Sequence, residues 1–136
     1  MKYLLDVNVL VALCVSEHEF HERVASWMNE SARAGRSELI TCAVTEMGFL
    51  RTLALADPYG FTIEQGKALL SQLKSSKEFH FGFLSDDHGL AQLPRWVKGP
   101  KQIMDGHLLG LAKAQGAEIA TLDERIPGPF IIPGSI

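Results

Sequence analysis

The sequence has few cysteines, and neither of them has the spacing of a metal or redox site. Its 136 residues include two cysteines, Cys14 and Cys42, which lie in apolar stretches without a CxxC motif. A disulfide or a zinc site is therefore not expected, and the pattern predicts two reduced, buried thiols.

Long apolar runs and runs of like charge are also absent. No apolar stretch approaches the roughly 20 residues that a membrane-spanning helix needs, and the N-terminus lacks a basic region followed by a long apolar core. We therefore expect a cytoplasmic protein with no membrane association. The net charge of −3 argues against a broad cationic surface for nucleic acid, although it allows local basic clusters. A composition of 46% hydrophobic and 21% charged residues predicts one globular domain over residues 1–136.

A carboxylate follows the first predicted strand directly. Tyr3-Leu4-Leu5 is a short apolar run, typical of a strand covered on both faces in a parallel sheet, and Asp6 lies at its carboxyl end. Ligands of open α/β sheets bind beyond the carboxyl ends of the strands, which favours a chemical role for Asp6. The alternative is that Asp6 only caps the apolar helix predicted over residues 8–15.

Capping signals predict where three further helices begin. Residues 16–19 form a capping box before an amphipathic helix whose apolar stripe leads towards a stop at Gly35, and residues 62–65 form a second box before a helix. Ser85 followed by two aspartates predicts an N-cap and an acidic first turn of a helix running to Trp96. For Asp86 and Asp87, this capping interpretation is preferred to a metal site. For His18 and His21, an ordinary helix start is likewise preferred to a metal site.

Strands alternate with these helices. The patterns predict strands at residues 39–41, 79–84 and 117–120, a turn at residues 57–60, and a short edge strand at residues 130–132 between Pro127 and Pro133. Alternating strands and helices imply an α/β fold with a parallel sheet and right-handed crossovers.

Glu46 is an anomaly in the helix predicted over residues 42–55. It lies in register with the apolar residues Phe49, Leu50 and Leu53, near the start of the helix. A carboxylate on an apolar face is costly unless it is paired or bound to a cation. Glu46 could pair with Arg51 or interact with the helix dipole; the other interpretation is a cation site.

Two more acids occupy equivalent positions. Asp105 lies in the apolar first turn of a helix predicted over residues 103–112, which stops at Gly116, and Asp123 follows the fourth strand. Strand ends and helix starts share one edge of a parallel sheet, so four carboxylates are expected to converge there.

Four close carboxylates repel one another, so a hard cation or protonation must neutralise them. Oxygen ligands favour Mg²⁺ or Mn²⁺, and the neutral polar groups of Asn8 and Thr121 are placed to orient waters or ligand oxygens. The sequence therefore predicts a metal site made by Asp6, Glu46, Asp105 and Asp123.

Four motifs in this order resemble the PIN domain, specifically the VapC-type toxin ribonucleases. They are Leu5-Asp6-Val7-Asn8-Val9-Leu10, Thr45-Glu46-Met47-Gly48-Phe49-Leu50-Arg51, Asp105-Gly106-His107-Leu108 and Thr121-Leu122-Asp123. The resemblance implies a three-layer α/β/α sandwich with a central parallel sheet of about four to five strands. It also implies a Mg²⁺- or Mn²⁺-dependent endoribonuclease acting on RNA, a homodimer, and inhibition by a VapB-like antitoxin encoded beside it.

Carried over to this chain, the resemblance assigns the catalytic acidic cluster to Asp6, Glu46, Asp105 and Asp123, with Asn8 and Thr121 in support. The chain departs from the family around the third acid. Met104 stands where the family often has Thr or Ser, and Gly106 where it often has Ala. Loss of that hydroxyl would weaken the affinity for metal rather than abolish it. Glu124 is a weak match to a further acid that often follows the fourth.

Two other functions fit parts of the same pattern. A non-catalytic PIN-like module could hold RNA or a protein through Arg95, Lys98 and Lys101, but such a module should have lost at least one acid. An aspartyl-phosphate phosphatase also begins with Asp after a first strand, but it needs a second acid where this chain has Asn8.

An antitoxin is expected to cover a groove between the helix over residues 8–15 and the helix from residue 42. These helices have more apolar residues than one buried face requires, among them Val9, Val11, Leu13, Phe49 and Leu53.

Overall fold

Parallel strands alternate with helices along the chain. The computed structural model describes residues 1–33, 36–55, 60–124 and 130–134. The strands are β1 (Lys2–Leu5), β2 (Glu38–Cys42), β3 (His80–Leu84), β4 (Glu118–Thr121) and β5 (Phe130–Ile131). The helices are α1 (Val7–Cys14), α2 (His21–Ser31), α3 (Ala43–Leu55), α4 (Ile63–Lys74) and α5 (Ile103–Ala114). Two short 3₁₀ helices, Leu90–Gln92 and Pro100–Gln102, lie before α5.

The five strands form one sheet in the order β3-β2-β1-β4-β5, and every pairing is parallel. The central strand β1 has Leu4 in register with Ile40 of β2 and Ile119 of β4. The two-residue β5 forms an edge. The predicted α/β fold with a parallel sheet of four to five strands is thus confirmed.

Helices cover both faces of this sheet. Leu5 packs with buried residues of α1 to α4, whereas Leu4 packs with Leu108 and Leu111 of α5. Successive residues of a strand point to opposite faces, so β1 contributes to two separate cores. This arrangement is the expected three-layer α/β/α sandwich.

Two predicted helix ends are confirmed in atomic detail. The Thr62 hydroxyl accepts from the Gln65 N–H at 3.1 Å, and the Gln65 side chain accepts from the Thr62 N–H at 2.9 Å, which completes the capping box of α4. Gly116 follows α5 with a φ of 69°, a conformation that glycine adopts without strain.

The helix start predicted at residues 16–19 is wrong. α2 begins at His21, and its N-cap residue Phe20 makes no side-chain capping bond. Instead, Nδ1 of His18 accepts a hydrogen bond from the Phe20 N–H at 3.1 Å, so the chain turns before the helix begins. The predicted stop at Gly35 lies outside the described residues, as do most of the turn at residues 57–60 and Pro127.

The helix predicted from Ser85 to Trp96 is also wrong. This segment contains one 3₁₀ turn and no α-helix. The Asp86 carboxylate does not cap a helix; it binds Nε2 of His107 on α5 and accepts from the His88 N–H at 3.1 Å. A side chain committed to another element leaves the first turn of a local helix uncapped.

The surplus of apolar surface predicted on α1 and α3 does not come from the residues named for it; the exposed apolar side chains of α3 are Met47 and Leu55, at 62% and 71% exposure. Val9 and Phe49 are completely buried, Val11 and Leu53 are nearly so, and Leu13 is half-buried. These residues belong to the core under the sheet, so the docking groove expected for an antitoxin has no basis in them.

Both cysteines are free thiols, Cys42 buried and Cys14 half-buried, and burial raises the pKa of Cys14 to about 12. Within the described part of the chain, no helix is long and apolar enough to cross a membrane.

Candidate active site

Asp6 connects β1 to α1 and is nearly buried, at 8% exposure. Its Oδ1 accepts from the Val7 N–H at 2.8 Å, which caps α1, and its Oδ2 accepts from the Thr121 hydroxyl at 2.7 Å. The capping role considered for Asp6 is therefore present. It uses one carboxylate oxygen, while the other faces the end of β4.

Thr121 is the centre of a small polar network at the end of β4. Its buried Oγ1 donates to Asp6 and accepts from the Asn8 side-chain amide at 3.2 Å and from the Asp123 N–H at 3.0 Å. The Asn8 Oδ1 accepts in turn from the Leu122 N–H at 3.1 Å. This network fixes the orientation of Asp6 and the backbone that carries Asp123.

Three aspartates line one cavity of about 350 Å³. Asp6 reaches it from the end of β1, Asp105 from the first turn of α5, and Asp123 from the residue after Leu122. Asn8 and His18 also contribute to the wall. Asp105 and Asp123 are both half-buried.

The electrostatics of this cavity disfavour a charged Asp6. Burial is the main cause that raises the pKa of Asp6, and the negative charge of Asp123 adds to it. The hydrogen bonds from Thr121 and from the Val7 N–H act in the opposite direction, but they do not cancel the rise. A nearby cation would relieve the cost of keeping this carboxylate ionised.

Glu46 is placed differently. It lies in the first turn of α3, as predicted, but its carboxylate pairs with Lys74 of α4 and not with Arg51. The Lys74 Nζ and the Thr41 hydroxyl each lie 2.6 Å from Glu46 Oε2. Glu46 lines a neighbouring cavity of about 410 Å³ with Met47 and residues of α4.

A third, mainly apolar cavity of about 650 Å³ adjoins the aspartates. Asp6 and Asp105 line it, together with Met47, Arg51 and Met104 among others. Met104, which stands where the family often has a hydroxyl, is 49% exposed and contributes apolar surface to this wall.

The donor chemistry of the aspartate cavity fits a hard divalent cation, because carboxylate oxygens are the ligands that Mg²⁺ and Mn²⁺ prefer. Among the residues that the structure describes, no three His, Cys, Asp or Glu side chains are arranged so that they could hold one ion. Gathering the aspartates around one ion therefore requires side-chain movement.

Sequence reasoning missed Lys74 and His18 as neighbours of the acids. Both are brought there by tertiary structure: Lys74 by the packing of α4 on α3, and His18 by the turn between α1 and α2. No local signal marks Lys74, because a lysine in the last turn of a helix is ordinary capping chemistry.

Comparisons with known proteins agree with the fold and the motifs. A model of the PIN domain family matches residues 3–128. Ribonuclease VapC38 from Mycobacterium tuberculosis (strain ATCC 25618 / H37Rv) is 36% identical over 127 residues, covering 90% of this chain and 86% of the relative. Ribonuclease VapC44 from the same strain is 31% identical over 130 residues, covering 93% and 89%.

One solved structure shows the same fold. VapBC2 from Rickettsia felis, crystallised bound to a DNA fragment from their promoter, aligns with a TM-score of 0.59 over 96% of each chain at 13% identity. Because the family model spans nearly the whole sequence and the relatives are similar along most of their length, this chain belongs to the PIN-domain family of VapC ribonucleases.

Proposed function

We propose that this protein is an endoribonuclease that hydrolyses RNA phosphodiester bonds with the help of Mg²⁺ or Mn²⁺, and that it is the toxin of a toxin–antitoxin pair. The observation that carries the proposal is the cavity lined by Asp6, Asp105 and Asp123, in which one carboxylate is buried and held by Thr121. Its VapC relatives, named as ribonucleases, support the same activity.

In this proposal, Asp6, Asp105 and Asp123 bind the cation. Thr121 and Asn8 hold Asp6 and the Asp123 backbone in place, so they support the ligands without binding the ion themselves. Glu46 lines the neighbouring cavity, where its carboxylate pairs with Lys74.

The chemistry that Mg²⁺ or Mn²⁺ supplies when bound is a lowered pKa of a water ligand and stabilisation of charge on the phosphate oxygens. The protein residues position that chemistry. The Asp6 side chain is held at both oxygens by hydrogen bonds, so this one ligand is already oriented before a cation binds. An apolar wall that includes Met47 and Met104 lies beside Asp6 and Asp105.

The direct test is cleavage of an RNA pool by the purified protein in Mn²⁺, with and without a chelator. Chelator-sensitive cleavage is the expected result. If no RNA in the pool is cut, or if cutting persists in the chelator, the metal-dependent reaction is wrong. A non-catalytic module would bind RNA without cutting it, so a binding assay on the same pool separates the two.

A VapB-like antitoxin is the proposed partner, in keeping with the VapBC2 structure, which pairs such proteins in Rickettsia felis. Co-expression with the product of the adjacent reading frame should give a stable complex in which cleavage is suppressed. Free toxin activity in that complex would refute the pairing.

We further propose that the chain acts as a homodimer in the cytoplasm and as one domain over residues 1–136. Light scattering of the purified protein tests the dimer. A monomer at all concentrations up to those of the cleavage assay would contradict it.

A further inference from the structure

Lys74 and Glu46 form a closed polar triangle with Thr41. Lys74 Nζ lies 2.6 Å from Glu46 Oε2 and 3.1 Å from Thr41 Oγ1, while the Thr41 hydroxyl donates to the same carboxylate oxygen at 2.6 Å. Lys74 is the last residue of α4 and Glu46 lies in the first turn of α3. Each charge is therefore at the helix end whose dipole favours it.

Residues of β2 and β3 contact the Lys74–Glu46 pair from the sheet. Thr41 of β2 is in register with Phe83 of β3, so their side chains share one face of the sheet. The Lys74 Nζ lies 5.3 Å from the centre of the Phe83 ring, a cation–π distance. The side chains of Lys74 and Glu46 are only 27% and 21% exposed, so water screens this pair less than an ordinary surface pair.

These contacts direct the Glu46 carboxylate towards the end of α4. Glu46 lines a cavity with Lys74, whereas Asp6, Asp105 and Asp123 share another cavity that Glu46 does not line. Glu46 Oε2 already accepts from an ammonium group and a hydroxyl, and the Lys74 charge offsets the negative charge that would attract a further cation.

We propose that Lys74 is a positioning residue that holds Glu46 out of the metal's ligand set, so that the three aspartates bind the cation without it. The inference rests on the metal-dependent function proposed above. Glu46 and Lys74 then form a neutral pair beside the site, and the charge that attracts the cation comes from the aspartates alone.

The test compares Mn²⁺ affinities measured by calorimetry for four variants. Lys74→Met releases a carboxylate close to the site and should tighten Mn²⁺ binding by roughly threefold or more, because one opposing charge is lost and one ligand gained. Glu46→Gln should change the affinity by less than about twofold, and the double variant should return it to the level of Glu46→Gln. Lys74→Arg keeps the charge and should bind Mn²⁺ as the wild type does.

Lys67→Met is the matched control. Lys67 lies on the same helix and lines the same cavity, but it pairs at 3.9 Å with Glu64, and both side chains are largely exposed. The Lys67→Met substitution removes the same charge without changing a contact of Glu46, so the affinity for Mn²⁺ should stay within about twofold of wild type.

A second measurement needs no metal. In chelator, the effects of Lys74→Met and Glu46→Gln on the unfolding equilibrium should be non-additive, with a coupling of roughly threefold or more. Coupling below about twofold would overturn the proposed pairing. A loss of Mn²⁺ affinity of roughly tenfold in Glu46→Gln, or equal effects of Lys74→Met and Lys67→Met, would overturn the proposed role. If the wild type binds no Mn²⁺, the proposed metal dependence fails instead, and the chelated cycle still decides whether Lys74 holds Glu46.

Discussion

Asp6 has two structural roles, which a single substitution separates. Asp6→Asn keeps an oxygen that can cap α1 but removes a charged ligand, and it places an amide opposite the Thr121 hydroxyl. Cleavage should fall by more than the roughly 10- to 100-fold typical of a change outside the ligand set. Because burial raises the pKa of Asp6, neutralising it should leave the chelated protein as stable as wild type or up to about 1 kcal/mol more stable.

Mn²⁺-dependent cleavage and urea unfolding in chelator check the two halves of this prediction. A pure capping role leads to the opposite result, since Asn caps a helix about as well as Asp. An active Asp6→Asn protein with wild-type affinity for Mn²⁺ would therefore remove Asp6 from the site.

The sequence predicts single residues at element ends better than it predicts their partners. Its pattern places four acids at strand ends and helix starts, which is where the structure has them: Asp6, Glu46, Asp105 and Asp123. The partner of Glu46 was not predictable, because Arg51 is close in sequence whereas Lys74 reaches it only through the packing of α3 on α4. Side-chain pairing across elements depends on tertiary geometry that periodicity does not encode.

Helices and strands with a clear hydrophobic pattern are predictable from the sequence. Segments whose conformation depends on tertiary contacts are not. The apolar strands and α5 are recognisable from local pattern alone. The segment from Ser85 to Trp96 has a good helix-start signal, but Asp86 is bound by His107, and residues of its distal part pack against Gly106. Tertiary contacts therefore override the local capping preference.

Gly106 shows how closely residues 94–97 pack on α5. A Cβ at this position would clash with Cγ2 of Val97, which accounts for glycine where the family often has alanine. Gly106→Ala should destabilise the protein by about 1 kcal/mol or more, since overpacking outweighs the gain in helix propensity. Gly110→Ala, one turn further along α5, meets only an ordinary contact at 3.6 Å and should stabilise it by roughly 0.5 kcal/mol.

Urea unfolding of the two variants makes the comparison, and the double variant Gly106→Ala/Val97→Ala should be less sensitive to the added methyl than Gly106→Ala alone. Equal stabilisation by both glycine replacements would mean that Val97 does not pack on α5 as described.

The contact between the Asp86 carboxylate and His107 of α5 predicts that the stability of the protein depends on pH. Burial acts to raise the pKa of Asp86, but the hydrogen bonds from His107 and the His88 N–H, with the charges of both histidines, outweigh it and lower that pKa. The ionised carboxylate thus stabilises the fold above its unfolded pKa, and this contribution is lost as the pH falls through the lower, folded pKa.

Asp86→Asn should therefore reduce stability at neutral pH by about 1 kcal/mol, a value that allows for partial solvent screening. In acid below the folded pKa, the difference from wild type should vanish. Melting curves across this range provide the measurement, with the exposed neighbour Asp87→Asn as control. A loss of stability that is the same at every pH would show that charge is not its cause.

For the molecule as a whole, a net charge of −3 has to be reconciled with a polyanionic substrate. A negative protein can bind RNA only where its cations are locally concentrated. Arg95, Lys98 and Lys101 are all exposed in the segment before α5, and Asp105 lies in the first turn of that helix. Gln102 accepts from the N–H groups of Lys98 and Gly99 at 2.8 and 3.2 Å, which fixes this segment in front of the helix.

We expect RNA to cross this segment on its way to the aspartates, and two exposed lysines at opposite ends of α5 test that path. Lys101 precedes the helix and Lys113 lies in its last turn.

Each phosphate contact on single-stranded RNA contributes about 0.7 to the slope of log affinity against log salt. In an Asp6→Asn background that does not cut RNA, Lys101→Ala should weaken binding and reduce the slope by about 0.7, and adding Lys98→Ala should double that reduction. Lys113→Ala removes the same charge from the same molecule and should leave the slope unchanged. Equal losses from Lys101→Ala and Lys113→Ala would mean that the protein's overall charge, and not a path in front of α5, governs its contact with RNA.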